Sequence, residues 1–222
     1  MNICKAKEIL DYWFSNGLYK PDYDKWFLKS QDYDKEITEK FGDLLNEAEL
    51  GKGFGWLHTK ESYVAYIILL DQFSRHIYRG SGDSFKNDNG VMIFVELGWE
   101  IYKKELKGYE FMFAFMPFMH TENRTYQKKG MEYFRQHKLL YKQYTNEAET
   151  IRALTKMDNM KELTNYDNEY IMLKSMEPHV IGHNQTILMF GRFPKRNELL
   201  GRESTIQENQ YLNRDDVKKR PY

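Results

Sequence analysis

Along most of this chain the apolar residues return every third or fourth position and then stop at a glycine, and no stretch keeps the strict two-residue alternation of a half-buried strand. Ile9, Leu10, Trp13 and Phe14 share one face of a helix predicted over 6–14, which Asn16-Gly17 ends. Ile37, Phe41, Leu44, Leu45 and Ala48 form the stripe of a second over 34–50, closed by Gly51. The three glycines of 51–55 lack the lysine-serine ending of a phosphate loop and read as a flexible turn. Thr59 is placed to cap a third helix, which carries Tyr63, Tyr66, Ile67, Leu70, Phe73 and Ile77 into the turn Arg79-Gly80-Ser81-Gly82. A fourth is expected over 84–106, with Met92, Phe94, Val95 and Ile101 inward and Gly98 tolerated at some cost.

Further on, Phe111 to Met119 reads as a short buried segment, and 121–144 as a helix with Met131, Phe134, Leu139 and Tyr141 inward. Residues 146–167, with scattered Ile151, Leu154 and Met157, read as a weaker helix plus loop. A last long helix is expected over 170–190. Thr205 and Glu208 form a capping box for a terminal turn through Leu212, and the tail beyond Asn213 is expected to fray. The pattern predicts an all-α protein of antiparallel helical hairpins, in one domain over 1–222.

Net formal charge is zero, so no overall field draws the chain to nucleic acid or anionic lipid. Cys4 is the single cysteine, and the first residues lack the apolar core of a signal peptide. The apolar runs 63–70 and 111–119 fall far short of the ~20 residues that span a bilayer. A soluble, cytoplasmic protein is expected, with no membrane partner.

Lysine outnumbers arginine 23 to 10, so arginine marks positions where a planar donor fork is needed. Five of the ten, Arg75, Arg79, Arg192, Arg196 and Arg202, sit in two short motifs. In the first, 69–81, the helical period puts Asp71, Arg75 and Tyr78 or Arg79 on one face. In the second, 190–205, Pro194 pushes Phe193 out of the α region, so the preceding helix stops at Gly191 and Arg192 and Arg196 project from a turn with Asn197. Between them, 115–122 delivers His120 and Glu122 from an aromatic, methionine-rich segment. His179 and His183 have the spacing of two ligands on one metal, but no glutamate lies between them as a zinc protease requires, and neither metal nor cofactor is expected. Asp71, Arg75, Arg79, Arg192, Arg196 and Asn197 are the candidate ligand-binding residues, and His120, Glu122 and His183 the candidate acid–base residues.

Tyr12-Trp13-Phe14, Trp26-Phe27, Leu70-Asp71-Gln72-Phe73 through Arg79-Gly80, Met116-Pro117-Phe118-Met119-His120-Thr121-Glu122, and His183 with Phe190-Gly191-Arg192-Phe193-Pro194 through Gly201-Arg202-Glu203-Ser204-Thr205 together make the chain resemble the domain of unknown function 924 family. The resemblance covers most of the chain and implies an all-helical, tetratricopeptide-like arrangement; it implies no activity. Ser74, His76 and Lys195 stand where the family pattern has proline, asparagine and histidine, and lose weight as catalytic candidates. The resemblance also implies that the three motifs belong together.

Two functions fit these residues. One is a pocket in which arginines hold a small phosphate or carboxylate ligand, with His120 or His183 as acid or base and Glu122 or Asp71 orienting it. The other is a scaffold whose helical hairpins bind a peptide, the same arginines locking helices together. Single-stranded nucleic acid is disfavoured by the zero net charge.

Overall fold

The computed structural model describes residues 3–51, 53–142 and 165–218, and among them there are helices and turns but no strand. The α-helices are α1 (Ile3–Trp13), α2 (Tyr23–Phe27), α3 (Gln31–Glu49), α4 (Lys60–Ile67), α5 (Ser74–Ile77), α6 (Met92–Tyr102), α7 (Gly108–His120), α8 (Arg124–Lys142), α9 (Asn165–Phe190), α10 (Ile206–Leu212) and α11 (Asp215–Lys218). A π-helical segment, Ile68–Phe73, joins α4 to α5 without a break. Most of the stretch expected as a weak helix plus loop over 146–167 lies outside the described residues.

Two helices are buried on every side over most of their length, and both are central. A helix buries every face only when neighbours cover every face. Residues 62–67 of α4 are all buried, as are residues 108–119 of α7. Helix α7 packs against α4, α6, α8 and α9, while α1 covers α4 and α3 covers the π segment and α5. Consecutive α7 and α8 fold back on each other across residues 121–123, a helical hairpin. The stretch 111–119 is thus the body of a full central helix.

The caps follow the sequence. Thr59 and Ser62 exchange side-chain and backbone bonds at the start of α4, and Thr205 and Glu208 do the same at α10. Phe193 is extended (φ −91°, ψ 106°) ahead of Pro194, and Gly191 before it takes a positive φ of 73°.

Elsewhere the structure corrects the sequence reading. The expected helix over 84–106 starts only at Met92: a 3₁₀ turn covers Gly82–Phe85, and Asn87-Asp88-Asn89-Gly90 makes turns in which asparagine and aspartate compete with helix. In α6 the buried positions are Met92, Phe94, Val95, Gly98, Trp99 and Tyr102, which leaves Ile101 facing outward at 57% exposure. In α8 the inward place expected of Leu139 goes to His137, which stacks on Phe111 with ring centroids 3.6 Å apart and meets Glu169 at 3.4 Å, and Leu139 is exposed. Gly98 is required, since an added Cβ would stand 2.1 Å from the Tyr63 ring, whose hydroxyl donates to the Val95 carbonyl at 3.0 Å. Beyond Asn213, where fraying was expected, α11 forms and buries Val217.

Candidate functional site

Asp71 sits inside the π segment, the part of the long buried helix where an extra residue widens the turn; such segments are frequent at functional sites. Ser74 Oγ donates to the Leu70 carbonyl at 2.6 Å, and Gln72 Nε2 reaches both Asp71 Oδ2 at 2.5 Å and Met116 Sδ at 3.3 Å. The Gln72 bond meets a carboxylate that is 1% exposed. Its main partner is His120, the last residue of α7, whose Nδ1 lies 2.8 and 3.0 Å from the two oxygens. A carboxylate accepts, so Nδ1 carries the proton and Nε2 is left without a hydrogen bond among the described residues. Burial pushes the Asp71 carboxyl up, but Arg75 and His120 outweigh it and hold the group well below the usual carboxylate range.

Arg75, one turn on, approaches Asp71 Oδ1 at 3.2 Å and donates to its carbonyl. Its Nη2 also donates to both oxygens of Asp88 at 2.9 and 3.0 Å. Asp88 is shared: Arg196 Nη1 meets its Oδ2 at 2.8 Å. The other arm of Arg196 donates to the His120 carbonyl at 2.9 Å. Bonds therefore run from the His120 ring through Asp71, Arg75, Asp88 and Arg196 back to the His120 backbone, a closed ring. The Arg196 guanidinium lies 4.4 and 4.5 Å from the rings of Phe85 and Phe193. Its burial lowers its proton affinity against the pull of Asp88, while Arg75, flanked by Asp71 and Asp88, is held above its ordinary value despite burial.

His183, on α9, closes the other side. Its ring centroid is 6.0 Å from that of His120 and 5.5 Å from Phe193. Nδ1 lies 2.8 Å from the His179 carbonyl, so it carries the proton and Nε2 presents a lone pair. Burial, with His120 and Arg196 nearby, pushes the group down to about 3, so it is neutral at physiological pH. The backbone of His179 is thus what meets His183; among the described residues no set of three or more histidine, cysteine, aspartate or glutamate side chains is placed to hold a metal ion.

Glu122 is clamped by Arg202, which donates to its two oxygens at 2.7 and 3.0 Å, and it accepts the Phe193 N–H at 2.8 Å. Burial raises the Glu122 carboxyl, but Arg202, the Phe193 N–H and Arg196 bring it below its ordinary value. Asn197 shapes the same turn, its Nδ2 donating to Ser204 and its Oδ1 accepting from Arg202. Glu122, Arg196, Asp88, Asn89, Phe85 and Leu200 border an open cleft of about 510 Å³.

Two candidates lie apart from this arrangement. Arg79 turns to α3, where Nε and Nη2 fork onto Asp34 at 2.5 and 2.8 Å beside His76. Arg192 forks onto Glu208 at 2.7 and 2.8 Å and reaches the Glu203 carbonyl, pinning α10 to the end of α9. Asp88 and Gln72 were not among the sequence candidates. The Asn-Asp-Asn-Gly turn chemistry around Asp88 was the available signal, hidden by assigning the stretch to a helix.

A family model described as "Bacterial protein of unknown function (DUF924)" matches residues 9–216, and the chain belongs to that family. A solved structure of a protein of unknown function from Agrobacterium tumefaciens, ATU0120, is 26% identical, with a TM-score of 0.67 over 94% of this chain and 96% of that one. No curated protein matches the chain.

Proposed function

We propose that this DUF924 family member binds a small polar molecule bearing a phosphate or carboxylate beside His120, and that His120 moves a proton to or from it. The observation that carries the reading is the Asp71–His120 pair: a buried carboxylate fixes Nδ1–H and leaves Nε2 unpartnered, on a side chain that is 13% exposed. A general base needs that geometry first. Asp71 orients the imidazole through its Nδ1. His183 Nε2, neutral and fixed in direction, accepts a hydrogen bond from the same ligand. Arg196 borders the cleft and has donors left over after Asp88 and the His120 carbonyl, and Arg124, exposed near Gly191, has no carboxylate partner among the described residues.

The test follows His120 by two-bond ¹⁵N–¹H NMR while phosphate- and carboxylate-bearing small molecules are added in turn. A ligand that shifts the His120 and His183 side-chain signals together, and raises the melting temperature of the natural protein but not of His120→Asn, supports the reading. A panel that binds without moving either imidazole, or moves neither imidazole nor melting temperature, rejects it.

A second reading has its own observation. Each motif arginine is matched by a carboxylate: Arg75 by Asp71 and Asp88, Arg79 by Asp34, Arg192 by Glu208, Arg196 by Asp88, Arg202 by Glu122. As a tetratricopeptide-like scaffold the chain would use them only to lock helices, and a peptide would bind elsewhere. Arg75→Lys separates the two: it abolishes ligand-dependent stabilisation with the apo protein folded if the pocket reading holds, and it lowers apo stability with no ligand effect if the scaffold reading holds.

A further inference from the structure

The closed ring of bonds through His120 has one member that neither contacts His120 nor lies on the long buried helix, and that member joins its two halves. We propose that Asp88 is a positioning residue for His120: its carboxylate binds Arg75 and Arg196 together, and through them fixes both the ring and the backbone of the histidine. The proposal rests on the reading of His120 as the acid–base group.

Three observations support it. Asp88 is 3% exposed, followed in its turn by exposed Asn89 and Gly90, so its burial serves the contacts it makes. Its two oxygens take three charge-assisted bonds, two from Arg75 Nη2 and one from Arg196 Nη1. Without it, two guanidiniums that now share one counterion would face each other, and the repulsion would be relieved by movement of the less anchored partner. Arg75 is held also by the carbonyl and carboxylate of Asp71. Arg196 has the His120 carbonyl, at the C-terminal end of α7 where a cation is favoured. Displacing Arg196 releases that carbonyl and the last turn of α7; displacing Arg75 releases the carboxylate that sets the imidazole tautomer. Either route loosens the same side chain.

The neighbouring groups do not replace this role. Glu122 is occupied by Arg202 and the Phe193 N–H. Lys86 pairs with Glu49. Asp83 is exposed, in the turn that precedes the ring. Asn89 bonds Thr121, which fixes the residue after His120 but carries no charge to either arginine.

The experiment uses the full chain without ligand, so that its outcome is separate from whether any ligand binds. In the natural protein the His120 side chain is expected in a single Nδ1–H tautomer, with a slowly exchanging proton shared with Asp71. In Asp88→Asn that proton signal is expected to broaden or vanish and the two ring nitrogens to average, while His137, buried on Glu169, keeps its signals. Asp88→Glu restores a single tautomer in part. Should Asp88→Asn not fold, Arg196→Lys opens the ring from the other side with charge preserved, and the same change is expected. A folded variant of either kind with an unaltered His120 tautomer and proton exchange overturns the proposal, as does equal perturbation of His137. If the tautomer responds as expected yet no small molecule perturbs His120, it is the binding reading that fails.

Discussion

Arg202 closes a two-point fork on Glu122 from 80 residues further along the chain, at 2.7 and 3.0 Å, and so ties the Arg-Phe-Pro turn to the end of the central helix α7. Both side chains are about one-fifth exposed, which places the pair between a surface bridge and a buried one. Arg202→Ala is expected to destabilise the protein by about 1–3 kcal/mol, because it leaves Glu122 with only the Phe193 N–H and its charge half covered. Chemical denaturation of both proteins at neutral pH measures it. An unchanged midpoint would mean the fork contributes nothing.

The same pair sets an acid response. The folded-state carboxyl of Glu122 lies below its ordinary value of 4.5, so the unfolded chain binds the proton more readily. Its contribution is complete above that value and is lost as pH falls through the lower folded-state value. Glu122→Gln should therefore be less stable than the natural protein at pH 7 and approach it as pH drops below about 4.5. Melting temperatures of the two across pH 3–7 are expected to converge downward.

His183 responds in a different window. Its folded-state value of about 3, against an ordinary 6.5, means that the unfolded chain takes up a proton the folded one refuses. That contribution is full above 6.5 and is lost as pH falls from there toward 3. A His183→Gln variant should show a flatter stability profile between those values. If natural protein and variant run parallel from pH 7 to 4, the imidazole is not held neutral.

Gly98→Ala tests the packing of α6 on α4. The new Cβ would lie 2.1 and 2.2 Å from two atoms of a Tyr63 ring that is itself wholly buried. Helix propensity alone favours alanine here by roughly 1 kcal/mol. Overpacking is expected to win, with a net loss of about 1–3 kcal/mol in a denaturation experiment. A gain in stability would show that Tyr63 has room to move.

Thr205→Ala removes the side chain that accepts the Glu208 N–H and leaves the rest of the capping box in place. The expected cost is about 1 kcal/mol. Because Glu208 also carries Arg192, local hydrogen exchange in α10 should rise more than in α9.

The helical period and the glycine stops were enough to read an all-α chain, because α4 and α7 must be wrapped on every side and only other helices are available to wrap them. The economy of arginine pointed to Arg75 and Arg196, which do meet, through Asp88. The period failed where the helix itself changes. A uniform 3.6-residue turn puts Asp71, Arg75 and Tyr78 or Arg79 on one face; Asp71 and Arg75 do meet, but α5 ends at Ile77, so that Arg79 in the turn beyond it faces Asp34, and Ile68–Phe73 form a π segment. No side-chain pattern announces such a segment. Asp88 was hidden for the opposite reason, since apolar residues on both sides of it invited a helix across a turn. His137 displaced Leu139 from the inward face because Glu169, far along the chain, gives the imidazole a buried partner.

A single rod with the π-helical segment at its middle serves two clusters, Asp71 inside the segment with Arg75 one turn on, and His76 beside Arg79 in the turn beyond the rod. Length is therefore information there. A turn widened by an extra residue gives it up with little change of direction, so deleting one residue between Ile68 and Phe73 would give a more regular helix with Arg75 and His76 near their present bearings. What the extra residue sets is the bearing of Asp71 within the segment, whose carboxylate meets His120. Indels are usually best tolerated in loops; in this molecule the irregular turn lies in the interior of a wholly buried stretch of helix, where a shorter chain would be locally sounder and would present Asp71 differently.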